Sequence, residues 1–315
     1  MPLSYKRIIV KIGSNVLTQD NGMPDADRIR QLVEQLATLK KQGREVIVVS
    51  SGAVASGRSL VTVSDKADAV TSRQLLAAVG QVKLLSTYAE LFSHHDLVCA
   101  QVLVTKEDFR DRVHYLNMQN CFRALLQNNI IPIVNENDVI SVTELMFTDN
   151  DELAGLIASM LDADALLILS NVNGIYNGDP KDPASELIEE IEPTTTTSFS
   201  SFVTTQRSQF GRGGMITKCH MAHKVAQLGI AVHIANGKTE NILPRLLSGE
   251  APNTRFIPNK TASGKKKWIA HSETSAKGVV HINDGAKAAL TTPGKAISLL
   301  PVGVTKISGE FQKGD

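Results

Sequence analysis

Continuous apolar stretches alternate along this chain with stretches in which apolar residues recur every three or four positions. Residues 7–11, 45–49, 97–104, 130–134, 165–169, 230–234 and 254–257 are short, rich in Val, Ile and Leu, and read as buried strands. Between them lie helical periodicities. Ile29, Leu32, Val33, Leu36 and Leu39 share one face of residues 25–41, and Gly43 is placed to stop that helix. Residues 71–92 and 108–127 follow, and then a helix opened by the Asp149 or Asn150 cap and carrying Leu153, Leu156, Ile157, Met160 and Leu161. A last helix opens at residues 211–215 and closes at Gly229. Strands alternating with helices predict an α/β protein whose mainly parallel sheet is covered on both faces. Residues 177–210, with a turn at Gly178 to Pro180 and a Thr/Ser run, read as an excursion from that pattern. The basic stretch 260–267 breaks it. The predicted organisation is one large domain over 1–260, a linker over 261–275, and a short β-rich segment over 276–315.

Composition narrows the function classes. With 315 residues and 42% apolar residues the chain can build a sizeable core. A net charge of +1 gives no general field for nucleic acid or membrane, and no apolar run reaches the roughly 18 residues a span requires. Three cysteines with no CxxC pair argue for a reducing compartment, so a cytoplasmic protein is expected, with no membrane or nucleic-acid partner.

The polar residues collect at strand ends, where ligands of open α/β sheets sit. Gly13-Ser14, Ser51-Gly52, Asn173-Gly174 and Gly211 to Gly214 place glycines there, and glycine lets backbone N–H groups approach a phosphate at a helix start. No GxxxxGK[ST] is present, and Ile216 stands where GxGxxG needs glycine, so neither a P-loop nor a dinucleotide fingerprint is present. Lys11, at the end of the first strand, and Lys218, one turn into a late helix, are two cations that phosphoryl transfer could use, although most lysines are simply exposed. The stretch Asn135-Glu136-Asn137-Asp138, followed by Asp149-Asn150-Asp151, brings acids and amides to a strand end and a helix start. His220 and His223 lie three apart on a helix without a third ligand, so no metal site of their own is predicted.

Taken together, Val10-Lys11-Ile12-Gly13-Ser14, Val49-Ser50-Ser51-Gly52-Ala53-Val54, Ala77-Ala78-Val79-Gly80-Gln81, Gln101-Val102-Leu103-Val104-Thr105, Pro132-Ile133-Val134-Asn135-Glu136-Asn137-Asp138, Asp149-Asn150-Asp151 and Gly213-Gly214-Met215-Ile216-Thr217-Lys218 resemble the amino acid kinase family. Within it they resemble the subgroup that phosphorylates the side chain of glutamate. The resemblance runs in order over residues 7 to about 258. It implies a three-layer α/β/α sandwich and the reaction of ATP with L-glutamate to give L-glutamyl 5-phosphate and ADP, the first step towards proline. It further implies ATP and Mg2+ as cofactors, proline as feedback inhibitor at the glutamate site, and a homo-oligomer, dimer or tetramer. Lys11 and Lys218 would contact the phosphates, and Asp151 would orient them or reach the magnesium sphere. Ser51, Gly52, Asp138 and Asn150 would hold glutamate. Lys11, Gly13, Ser170, Asn171, Tyr176, Arg212, Gly213, Gly214, Met215 and Lys218 would surround the nucleotide. A glutamate carboxylate, with pKa ~4.3, is already a nucleophilic anion at neutral pH, so no general base is required.

Two residues depart from the family's habit. Asn171 stands where an aspartate is usual, which removes a charge near the nucleotide, and Arg212 stands where a small residue is frequent. Residues 277–286, 298–301 and 309–311 resemble the beginning of a PUA domain, the module found on RNA-modifying enzymes. That segment is expected to carry no catalytic residue. Two alternatives remain: an amino acid kinase with another carboxylate or phosphate acceptor, or a degenerate kinase with a regulatory or RNA-binding role.

Overall fold

The computed structural model describes residues 3–64, 67–141, 147, 149–193, 214–259, 278–292 and 297–309. The chain divides into two compact units, Met1–Trp268 and Ile269–Asp315.

In the first unit the elements run β1 (Arg7–Ile12), α1 (Ser14–Leu17), α2 (Ala26–Lys41), β2 (Glu45–Ser50), α3 (Ala53–Arg58), α4 (Ala69–Ser93), β3 (Cys99–Val104), α5 (Lys106–Arg110), α6 (Arg112–Gln127) and β4 (Ile131–Glu136). They continue with α7 (Asn150–Met160), β5 (Ala165–Ser170), β6 (Ile175–Tyr176), β7 (Leu187–Ile188), β8 (Glu190–Ile191), α8 (Met215–Gln227), β9 (Ala231–Asn236), α9 (Ile242–Ser248) and β10 (Asn253–Phe256). Eight strands form one sheet in the order β3-β4-β2-β1-β5-β9-β10-β8. The first six are mutually parallel, and β10 turns antiparallel to β9. The carboxyl ends of β1, β2, β4, β5 and β9 therefore share one edge.

The two-residue period of the strands sorts their side chains into two cores. Ile8, Val10 and Ile12 of β1 face Leu32 and Leu36 of α2 and Tyr88 and Phe92 of α4. Ile9, with Val134, Leu166 and Ile168, faces Phe122 of α6, Ile157 of α7 and Val225 of α8. The result is the three-layer α/β/α sandwich expected from the strand–helix alternation. Lys11 is next in register after Val10, so it shares the face of Ile9 and points towards α7 and α8.

Several details differ from the reading of periodicity. The expected helix 108–127 is two helices, because the Asp111 carboxylate accepts from the His114 N–H at 2.8 Å and starts α6 afresh. The strand placed at 130–134 runs on through Asn135 and Glu136, both buried. The short helices α1, α3 and α9 and the small strands β6 to β8 fell below the length at which periodicity is readable. The Thr/Ser run at 194–201 and the linker at 261–275 lie outside the described residues.

The second unit is a two-stranded antiparallel pair, β11 (Gly278–Ile282) with β12 (Val304–Gly309), and a short helix α10 (Asp284–Leu290) capped by Asn283. Val279, Val280 and Ile307 are exposed, and among this unit's described residues only Gly303 is buried. Two strands with so little covered surface are marginal by themselves.

Candidate active site

At the shared strand edge, β1 delivers Lys11, α7 delivers Asp151 from its first turn, and α8 delivers Lys218. Lys11 Nζ lies 2.7 Å from Asp151 Oδ1, and Lys218 Nζ donates to Asp151 Oδ2. Helices α7 and α8 can meet this closely because a Cβ on Gly155 would stand 2.7 Å from Met221 Sδ and 2.9 Å from Val225 Cγ2. Lys11 is 6% exposed and Asp151 1%, so neither is the solvated surface residue its type would suggest. Burial alone would raise the Asp151 carboxyl, but the two ammonium groups outweigh it and hold the carboxyl well below the usual range. Burial lowers the Lys11 ammonium, with Asp151 opposing and the Lys218 charge adding to the fall. Lys218 also loses by burial, but it faces Asp151 and Asp149 together and ends up raised.

Asp149 is the N-cap of α7, and its Oδ1 accepts from the backbone N–H of Asp151 at 2.9 Å and of Glu152 at 3.0 Å. Its Oδ2 is buried and has no hydrogen-bond partner among the described residues. Among the described residues no three His, Cys, Asp or Glu side chains are grouped to hold a metal ion. One unengaged carboxylate oxygen, on a residue that feels the charges of Lys218 and Lys11, does fit a magnesium ion that takes its other ligands from phosphates and water, the usual habit of that ion.

Because Asp149 provides the cap, Asn150 is free to work as a side chain. Its Nδ2 donates to Ser51 Oγ at 2.9 Å and to Asn135 Oδ1 at 3.0 Å, and Asn135 Nδ2 donates to Gln81 Oε1 at 3.0 Å. This relay joins α7, β2, β4 and α4 under the strand edge. Gly52 holds φ at +107°, a conformation that favours glycine, and so turns the chain from Ser51 into α3. The turn is braced where α3 crosses α4: a Cβ on Gly80 would collide with the Ala53 carbonyl and the Gly57 N–H.

Asp138 sits in a second cluster. Arg73, early in α4, donates from Nε to Asp138 Oδ1 at 3.0 Å and again from Nη2, which lies 3.6 Å from Glu136 Oε2. Gln74 Nε2 donates to the Val139 carbonyl at 2.8 Å, so α4 holds the turn after β4 at two points. Burial pushes the Glu136 carboxyl up to about 7, with the Phe147 N–H opposing and Asp138 reinforcing. Asp138 is also raised, by burial against the pull of Arg73.

The residues assigned to the nucleotide lie at the ends of β1 and β5 and at the start of α8. A Cβ on Gly13 would stand 3.4 Å from Lys11 Nζ, so glycine leaves room beside that ammonium. Ser170 ends β5, Asn171 is exposed just beyond it, and Tyr176 accepts a long hydrogen bond from Asn173 at 3.4 Å. Gly214 caps α8, where an added Cβ would meet no described atom within 4 Å, and Met215 begins the helix. Arg212 and Gly213 lie outside the described residues. Sequence reading did not assign Gln81, Asn135, Arg73, Glu136 or Asp149 to the site. Four of these stand inside the motifs quoted above, while Arg73 carried no signal, since its partner is 65 residues away.

Two lysines on one buried carboxylate at the carboxyl edge of a parallel sheet hold preorganised positive charge of the kind that phosphoryl transfer uses. The profile of the amino acid kinase family matches residues 6–236, and the chain belongs to that family. A solved structure, carbamate kinase from Giardia lamblia bound to AMP-PNP, shares the fold with a TM-score of 0.58 at 20% identity, over 81% of this chain and 99% of that one. Curated relatives are more specific. Glutamate 5-kinase of Bacteroides thetaiotaomicron is 56% identical over 100% of this chain and 88% of its own length. Glutamate 5-kinase of Chlorobaculum tepidum is 53% identical over 99% and 85%. Within the amino acid kinases, the glutamate 5-kinases are therefore the group to which this sequence is similar along its whole length.

Proposed function

We propose that this protein transfers the γ-phosphoryl group of ATP to the side-chain carboxylate of L-glutamate, giving L-glutamyl 5-phosphate and ADP as the first step of proline biosynthesis. The observation that carries the reading is the pairing of Lys11 and Lys218 on Asp151 at the carboxyl edge of the sheet. A glutamate carboxylate oxygen forms the new bond to phosphorus while the bond from phosphorus to the β,γ-bridging oxygen breaks. ADP leaves with that electron pair, and no proton has to move. Negative charge spreads over the phosphoryl oxygens as this happens, and two preorganised cations in a dry site stabilise it at little reorganisation cost. Asp151 keeps both lysines charged and aimed. Ser51, Gly52 and Asn150 receive the glutamate, and Asp138 takes its ammonium group. Gly13, Ser170, Asn171, Tyr176, Gly214 and Met215, with Arg212 and Gly213, surround ATP. Magnesium, held by Asp149 and the phosphates, would supply further charge neutralisation.

The same reading carries proline as an inhibitor at the glutamate site, a homo-oligomer, and a cytoplasmic location. No helix of the described residues is long and apolar enough to cross a membrane, and Cys99, Cys121 and Cys219 are unpaired. Hydroxylamine trapping of the acyl phosphate tests the reaction. γ-Glutamyl hydroxamate should form with glutamate and ATP, and not with aspartate or acetylglutamate. A better yield with acetylglutamate would overturn the substrate.

A further inference from the structure

The Arg73 cluster contains more than an ammonium site needs. An ammonium asks for a carboxylate, and Asp138 alone would serve. Here two carboxylates, Glu136 and Asp138, share one guanidinium drawn from a different element. Of these three groups two are acids and one is a cation, a balance that suits an ammonium. The guanidinium is itself only partly used. Nε and Nη2 are turned to the acids, and Nη1 makes no hydrogen bond to a described residue. The Arg73 side chain is 32% exposed, whereas those of Glu136 and Asp138 are 5% and 8%, so the guanidinium is the member of the cluster that solvent reaches. Arg73 also stands two turns before Gln81 on α4, and Gln81 anchors the amide relay to Ser51. One face of one helix thus supports both halves of the acceptor pocket.

We propose that Arg73 is a specificity-determining residue: with Asp138 it forms a two-charge receptor for the zwitterionic head of the amino acid, the guanidinium taking the α-carboxylate and the carboxylate taking the ammonium. The planar fork of arginine suits a carboxylate, and its anchorage on two acids fixes that fork before substrate arrives. The receptor selects an α-amino acid over an acid lacking either head group, because each missing group leaves a charged partner unsatisfied. This inference rests on the glutamate reading above.

Two truncated ligands separate the halves. Glutarate lacks the ammonium, and 4-aminobutyrate lacks the α-carboxylate. With Arg73→Gln, the KM for glutamate and the inhibition constant of glutarate should rise about 10–100-fold, the loss of a charge-assisted hydrogen bond. The inhibition constant of 4-aminobutyrate, the KM for ATP and kcat should stay within about threefold. Arg73→Lys, which keeps the charge and loses the fork, should fall between. Asp138→Asn should give the mirror image, weakening 4-aminobutyrate and sparing glutarate. Parallel weakening of all three ligands, or of ATP with them, would mean that Arg73 only holds the turn after β4, and the inference would be overturned. So would unchanged constants. Failure of the wild-type protein to form γ-glutamyl hydroxamate would instead sink the glutamate reading. Hydroxamate formation with no change in the ligand ratio would sink the receptor alone.

Discussion

Two charged clusters stand near the carboxyl edge of the sheet, and their charge patterns are inverted. In one, a single carboxylate, Asp151, lies between two lysines. In the other, a single guanidinium, Arg73, lies between two carboxylates. The consequences for ionisation are opposite. Asp151 is forced to stay charged despite complete burial, whereas Glu136 is pushed up to about 7 because one arginine cannot compensate burial and a neighbouring acid. Burial is common to both, so the count of opposing charges decides the sign. Under the proposed function the difference also sorts the ligands: two cations meet the phosphates on one side, and a carboxylate with its guanidinium meets the amino-acid head group on the other.

The most severe break is Asp151→Ala. It leaves buried Lys11 and partly buried Lys218 without their shared partner, and removing one member of a buried pair typically costs about 3–5 kcal/mol. The melting temperature should drop sharply and activity should vanish; a stable variant with near-normal kcat would show that the lysines do not depend on Asp151. Next in size is Lys218→Ala. Loss of one preorganised donor lowers kcat by about 10²–10³-fold, and steady-state rates within about threefold of wild type would place Lys218 outside the chemistry. Asp138→Asn should then raise the KM for glutamate by about 10–100-fold while leaving that for ATP nearly unchanged. Equal rises in both constants would contradict the separation of the two clusters.

The smallest effect is the pH response of stability, which should differ in sign between the clusters. The Asp151 carboxyl is lowered by folding, so its contribution is present above the ordinary carboxylate range and is lost on acidification. The Glu136 carboxyl is raised from 4.5 to about 7, so its contribution is complete below the unfolded value and is lost as the pH rises through about 7. Glu136→Gln mimics the protonated acid. Thermal melts of that variant between pH 5 and 7.5 should depend less on pH than those of the wild type, and identical slopes would remove Glu136 from the account.

Much of the frame is legible in the sequence, because it rests on local pattern. The apolar runs at β1, β2, β4 and β5, the helical spacing of Ile29, Leu32, Val33 and Leu36, and the punctuation by Gly43 and Gly229 each state a period and a boundary. From these a parallel sheet between two helical layers follows, and with it the edge at which ligands sit. Lys11, Lys218 and the polar stretch from Asn135 to Asp151 were recognisable by type and position.

What those side chains do to one another was decided only in three dimensions. Sequence left Asp149 and Asn150 as equal candidates for the cap; the fold gives the cap to Asp149 and releases Asn150 to Ser51 and Asn135. Asn135 and Glu136 looked like the polar end of a strand. They are instead inside it, because Gln81 and Asn150 satisfy the amide and the Phe147 N–H and Arg73 satisfy the acid. Lys218 reaches Asp151 across 67 residues, and Arg73 reaches Asp138 across 65. Hydrophobic period is written in neighbouring residues, so the chain alone determines its layers. A buried charge is tolerable only beside its partner, and that partner is chosen by which strand ends and helix starts the packed sheet brings to the same edge.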